Sequence, residues 1–212
     1  MKENLLKAKD AFVRFCRHEI TCIFTLIVAL TYDMFYLDIY NPLQYSLSAM
    51  GRLNIPLFII WSFVTGIALT LNILRMYDRI GYKKKLARIC LLVGMLCLIA
   101  TFSNMSDEPI PYTFHVISAA IFAGLTFLSM ALALLTVVKK SKKMLVLVAI
   151  FFALMLTDVV FLAIYKQMGL FETAPLIVGV IVLFFTNYTK FFEDDFIKSG
   201  LVPAKPTEEI QE

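Results

Sequence analysis

Two carboxylates in this chain sit where hydrocarbon-loving residues would be expected. Asp158 interrupts the apolar run from Met144 to Tyr165, and Asp33 lies near the end of a comparable run that begins at Thr21. An ionisable group at membrane depth costs roughly 3 kcal/mol on insertion scales, so it faces a partner or a wet cavity. Carboxylates in that position serve as proton relays or as counter-ions, and beside a histidine they can act as acid and base. His115 and Arg52 are placed to complete such a set, with Ser118 one turn beyond His115. At about 1.5 Å per residue, Asp158 lies roughly 20 Å from the start of its run, and Asp33 reaches a comparable height on the first. The expectation is one charge-compensated pocket holding Asp33, Arg52, His115, Ser118 and Asp158.

The elements that must position these groups are membrane helices. With 60% hydrophobic and only 17% charged residues, and a mean hydropathy of +0.80, the chain carries more apolar surface than one soluble core could bury. At about 20 residues per crossing, 212 residues leave room for six spans joined by short loops. The expected fold is therefore all-α, a polytopic bundle of six transmembrane helices. The spans are Thr21 to Tyr36, extending as far as Tyr40, then Ile55 to Met76, Leu86 to Asn104, Tyr112 to Val138, Met144 to Tyr165 and Pro175 to Lys190. Asn54 before Pro56, and Thr173 before Pro175, each set a capping oxygen beside a proline suited to a first helical turn. A β-barrel is excluded, because barrel strands alternate over about 10 residues and these runs are continuous.

All but Arg52 and Lys166 of the 20 lysines and arginines fall before the first span, after the second and fourth, or after the last. Positive charge stays on the cytoplasmic side, so both termini are expected there, in the multi-pass topology of a cytoplasmic membrane protein. The net charge of +4 is thereby a topology signal and gives no reason to expect nucleic acid. Arg79, Lys83, Lys84, Lys85 and Arg88 could also attract anionic headgroups. Residues 1–19 read as an amphipathic cytoplasmic segment with Leu5, Phe12, Val13 and Cys16 toward lipid, residues 20–190 as the transmembrane domain, and residues 191–212 as a cytoplasmic tail, largely disordered after a short interfacial stretch. The first span has no cleavage site of small residues and is expected to be retained.

Cys16, Cys22, Cys90 and Cys97 lie at the cytoplasmic ends or within spans, so no disulfide is expected, and acylation of Cys16 or Cys22 competes with a simple packing role. The chain has no CxxC spacing, and His18 and His115 are expected on opposite sides of the membrane, so no metal site and no cofactor are expected. Two polar stripes remain. His115, Ser118, Thr126, Ser129 and Ala133 share one helical face, and Ser62, Thr65 and Asn72 share another. They either line a cavity open to the outside or are the small and polar residues by which membrane helices pack, as at Ala120 and Gly124.

The stretch YNPLQYSLSAMGRLNIPLFIIWSFVTGIALTLN, with Ser46, Ser48 and Gly51 in a first external loop, resembles the bacterial six-helix membrane proteins of the DUF998 type. The segment FSNMSDEPIPYTFHVISAAIFAGLTFL, a short acidic loop opening a helix that carries His115, is similar to the corresponding part of that group. Those proteins are in turn loosely similar to the eukaryotic Frag1, DRAM and Sfk1 membrane proteins. The resemblance spans about Tyr32 to Leu135; it implies six membrane helices, a shared outer surface at Ser46, Ser48, Gly51 and His115, and lipid-related roles in the distant relatives. The zinc hydrolases of the alkaline ceramidase and adiponectin-receptor group need three histidines, which this chain lacks, and GxSxG is absent.

Three readings compete. The leading one is a non-enzymatic membrane protein that binds a lipid, a small amphiphile or another membrane protein through an outer-leaflet polar cavity. The second is a proton-coupled transporter using Asp158, with Asp33 as a further titrating group. The third is a membrane-embedded lipid hydrolase or transferase that uses His115 with Asp33 or Asp158.

Overall fold

A computed structural model of the chain describes residues 2–102, 109–165, 169–198 and 200. Every regular element among the described residues is helical. The helices are α1 (Lys2–Arg17), α2 (Glu19–Ile39), α3 (Leu47–Leu53), α4 (Ile55–Arg79), α5 (Lys85–Phe102), α6 (Pro109–Leu134), α7 (Lys142–Tyr165), α8 (Gly169–Tyr188) and α9 (Glu193–Lys198). Among the described residues, five segments are long and apolar enough to cross a membrane: α2, α4, Thr113–Lys140, Lys142–Phe161 and α8. Helix α5 is also apolar and packs along α6 as an antiparallel hairpin. Asn104, Lys166 and the tail beyond Lys198, Gly200 apart, carried expectations but lie outside the described residues.

Local chemistry accounts for several boundaries. Asn54 Oδ1 accepts from the Leu57 amide at 3.1 Å, and Pro56 occupies the first turn of α4, as the sequence leads one to expect. The start of α8 differs. The helix begins at Gly169 rather than at Pro175, and Thr173 is no cap, because its hydroxyl donates to the Gly169 carbonyl at 2.7 Å. Pro175 forfeits only the bond to the Phe171 carbonyl. The first amides of α8 are satisfied from outside the helix, Gly169 N–H by the Tyr45 carbonyl at 2.9 Å and Leu170 N–H by the Pro42 carbonyl at 3.1 Å. The stretch directly after α8 is anchored to the bundle. Phe192 is buried in the core, and the Ser141 hydroxyl, which also caps α7, donates to Asp195.

Helix α4 is the hub of the bundle, packing on α2, α3, α5 and α8. Polar contacts stitch α2 to it along its length: Tyr32 Oη donates to the Leu57 carbonyl at 3.1 Å, Asn72 Nδ2 to the Cys22 carbonyl at 3.0 Å, and Arg75 pairs with Glu19 at 2.8 Å. Asn72 also accepts from Tyr188 Oη at 2.5 Å and receives Asn187 Nδ2 on its carbonyl at 2.9 Å, which fixes α8. Tyr77 and Ser129 share hydroxyls, and Ser129 donates to the Ala87 carbonyl at 2.9 Å. The stripe of Ser62, Thr65 and Asn72 is thus buried against neighbouring helices. It lies outside the lining of the cavity between α6 and α7, which includes none of the three.

Helices α6 and α7 are consecutive yet barely touch. They meet where Phe127 packs on Phe151 at 5.1 Å and on Phe152 at 5.3 Å between ring centroids. Toward the end of the bundle that carries α3, they leave a groove between them.

Candidate functional site

That groove opens into a cavity of about 620 Å³, floored by Phe58, Trp61 and Leu69 of α4 and reached by Leu47 and Ser48 of α3. Its deep end is apolar, with Phe127, Met130, Phe151 and Gly179. Its polar groups gather at the α3 end: Thr101, His115, Asp158 and Glu172, with Ser48 beside them. Counting up from the Phe127–Phe151 contact at about 1.5 Å per residue, Asp158 stands roughly 10 Å above it and His115 roughly 18 Å above it. The wall toward the surrounding solvent phase is low. Ala120, Ala123 and Gly124 on α6 are small and exposed, and Leu156 and Val159 opposite them on α7 are exposed as well.

Asp158 is only 8% exposed, and its Oδ1 has no hydrogen-bond partner. The surrounding helix is an apolar one whose other residues mostly face outward, so this oxygen is left for whatever enters the groove. Glu172 comes from the first turn of α8, and its Oε2 accepts from the Leu47 amide at 2.6 Å. The carboxylate thereby holds the N-terminus of α3, where a negative charge is favoured by the helix dipole. Ser46 caps the same helix by accepting from the Ala49 amide at 3.1 Å and lies 3.1 Å from the Ser48 hydroxyl. Gly51 is buried behind them.

His115 is buried, and its Nδ1 lies 2.9 Å from the Thr101 carbonyl. A carbonyl only accepts, so Nδ1 carries a hydrogen, and Nε2 is the ring nitrogen left to face a ligand. Lower in the cavity, the Thr126 hydroxyl is buried without a partner.

The structure separates some residues that the sequence places together. Asp33 is 1% exposed but does not reach the cavity, because Trp61 stands between: its Nε1 donates to Asp33 Oδ1 at 2.6 Å while its ring lines the cavity. Around that pair Tyr36, Phe58 and Met50 close an aromatic cluster in which Tyr36 stacks on Trp61 at 6.2 Å. Asp33 and Asp158 therefore do not share one cavity. Arg52, half-buried on α3, and Ser118, buried on α6, are both absent from the lining. No lysine or arginine is among the described residues that line the cavity. Of the α6 stripe, His115 and Thr126 face the cavity while Ser129 is engaged with Tyr77 and Ala87.

Glu172, Trp61 and Thr101 are cavity residues that the sequence reading passes over. Glu172 precedes a proline-led apolar run and reads as a loop acid, although an acid just ahead of a membrane helix is a signal for a first-turn position. Trp61 looks like an ordinary apolar residue within its span. No family model, no curated protein and no solved structure matches the chain.

Proposed function

We propose that this chain is a multi-pass protein of the cytoplasmic membrane that binds a lipid-like amphiphile in the groove between α6 and α7, without transforming it. In this reading α5 is the sixth span, both termini are cytoplasmic and the α3 end faces outward, in keeping with the distribution of lysines and arginines. The resemblance to DUF998-type proteins agrees with that arrangement.

The observation that carries the reading is the polarity gradient of the cavity: acceptor groups at one end, aromatic and aliphatic walls at the other, and a side open along α6. The volume lies within the range of roughly 300–1,000 Å³ typical of small-molecule sites. A membrane-dissolved chain gains little by moving from lipid to an apolar groove, because both are hydrocarbon-like. Selection then comes from the polar end, which is where Asp158 offers an unpartnered oxygen. Against an acid–base pair on His115, Asp33 is committed to Trp61 behind the cavity wall, and Asp158 stands roughly 8 Å lower along the bundle than His115.

Trp61 is the only tryptophan in the chain and lies in the cavity wall, so its fluorescence reports occupancy. Amphiphiles with bromine along the chain, added to protein in neutral detergent, should quench it saturably. Filling the groove with Ala123→Phe should abolish the saturable component. Quenching that stays linear and is equal in the two proteins means the groove is not a binding site. A dimer that Ala123→Phe dissociates would make it an interface between copies.

A further inference from the structure

We propose that the amphiphile bound in this groove is a cation whose head is a protonated amine with at least two N–H donors, a proposal that rests on the groove being an amphiphile site. The polar end of the cavity is built of acceptors. Asp158 brings a buried oxygen with no partner, Glu172 brings a carboxylate that already accepts from the Leu47 and Ser48 amides, and His115 brings Nε2. Three donors at this end are already used: Thr101 Oγ1 donates to the Leu98 carbonyl at 2.6 Å, Trp61 Nε1 to Asp33, and His115 Nδ1 to the Thr101 carbonyl; Ser48 shares a hydroxyl hydrogen bond with Ser46, and the unpartnered Thr126 hydroxyl lies lower in the cavity. Two carboxylates are thus set against no lysine or arginine among the described lining residues.

An anionic head entering this end would meet like charge in a low-dielectric wall, and a neutral hydroxyl would bring a single donor and no charge. A quaternary ammonium satisfies the charge but leaves the Asp158 oxygen without a hydrogen. A primary ammonium brings its charge together with three donors, so it can give a hydrogen to the Asp158 oxygen and still serve a further acceptor at this end, and charge-assisted bonds of that kind are the strong ones. The apolar depth beneath, walled by Phe127, Phe151 and Phe152, takes the chain. The shared chemistry is an alkyl-linked primary ammonium, carried by a single-chain amine or by an aminophospholipid.

The test compares heads on one brominated chain, using quenching of Trp61 in the full-length protein in neutral detergent micelles: primary amine, trimethylammonium, alcohol and carboxylate. The amine should bind at least tenfold more tightly than the alcohol, the trimethylammonium form and the carboxylate. Asp158→Asn and, separately, Glu172→Gln should move the amine-to-alcohol ratio toward unity, and either variant serves if the other does not fold. Brominated phosphatidylethanolamine and phosphatidylcholine are run in parallel as two further heads and identify the source: saturable quenching by phosphatidylethanolamine but not phosphatidylcholine, with no single-chain head bound, points to the phospholipid and supports the N–H cation; quenching by the alkylamine alone points to the single-chain amine and supports it too; equal quenching by the two phospholipids overturns it. Equal affinities for all heads, or tighter binding of the carboxylate, overturn the cation and leave the amphiphile site standing. Absence of saturable quenching by every head overturns the site itself.

Discussion

Gly169→Ala is expected to loosen the roof of the cavity. A Cβ at this position would lie 2.6 Å from the Tyr45 carbonyl oxygen and 2.4 Å from Met50 Cε. Met50 can swing its terminal methyl away, but Tyr45 is backbone and would have to retreat by roughly 0.8 Å to reach the 3.4 Å at which ordinary contact begins. That displacement stretches the Gly169–Tyr45 bond of 2.9 Å past hydrogen-bonding range and strains the Leu170–Pro42 bond of 3.1 Å. Overpacking of this kind costs about 1–3 kcal/mol, and each backbone bond contributes about 0.5–1.5 kcal/mol in water but closer to 0.6 kcal/mol inside a bilayer. Alanine's advantage over glycine in helix interiors, about 1 kcal/mol at most, is small at a first helical position. The net loss should be about 2–3 kcal/mol. Gly124→Ala is the matched control, because a Cβ there meets nothing within 4 Å. Unfolding by SDS titration in mixed micelles, followed by Trp61 emission, reads both, since Trp61 belongs to the cluster that contains Met50 of α3. If Gly169→Ala unfolds within about 0.5 kcal/mol of Gly124→Ala, the close approach of α8 to the 42–47 segment is not a constraint, and the account of how α3 is held is wrong.

Asp33→Asn keeps an oxygen for Trp61 Nε1 and should change stability by less than about 1 kcal/mol, whereas Asp33→Leu strands that donor and should cost about 1–3 kcal/mol in the same titration; equal effects of the two variants would mean the bond is idle. In the head-group binding assay, neither Asp33 variant that folds should reverse the order of affinities, because Asp33 lies behind Trp61 and outside the lining. For topology, a cysteine placed at Leu43, which is 56% exposed, should react with an impermeant thiol reagent added to intact cells, and one placed at the exposed Lys84 should react only after lysis. Labelling of position 84 from outside would invert the bundle.

Much of the helical organisation was legible in the chain. Apolar runs of membrane length locate α2, α4, α5, α6 and α7 to within a few residues, because a continuous hydrocarbon-facing surface is a property of composition. Asn54 and Pro56 announce the start of α4 because a cap is local chemistry, made by an oxygen reaching an amide three residues on. Asp158 and His115 stand out because a polar group in such a run is costly wherever it points.

Where those groups point is a matter of how each helix is rotated about its axis, and only the packing sets that rotation. Asp33 looks equivalent to Asp158 along the chain, yet α2 turns it onto Trp61, while α7, held by α8 and scarcely by α6, leaves Asp158 facing the groove. The start of α8 is the clearest case. Its first amides are satisfied by the Tyr45 and Pro42 carbonyls, over a hundred residues earlier, so the helix can begin two turns before Pro175 and lift Glu172 from a loop into the cavity. A proline two residues after a threonine is a local start signal, and it loses here to hydrogen bonds that exist only once the 42–47 segment has docked. Composition gave the chain helices long and apolar enough to cross a membrane, and the contacts between distant segments decided which of its buried polar groups share a site.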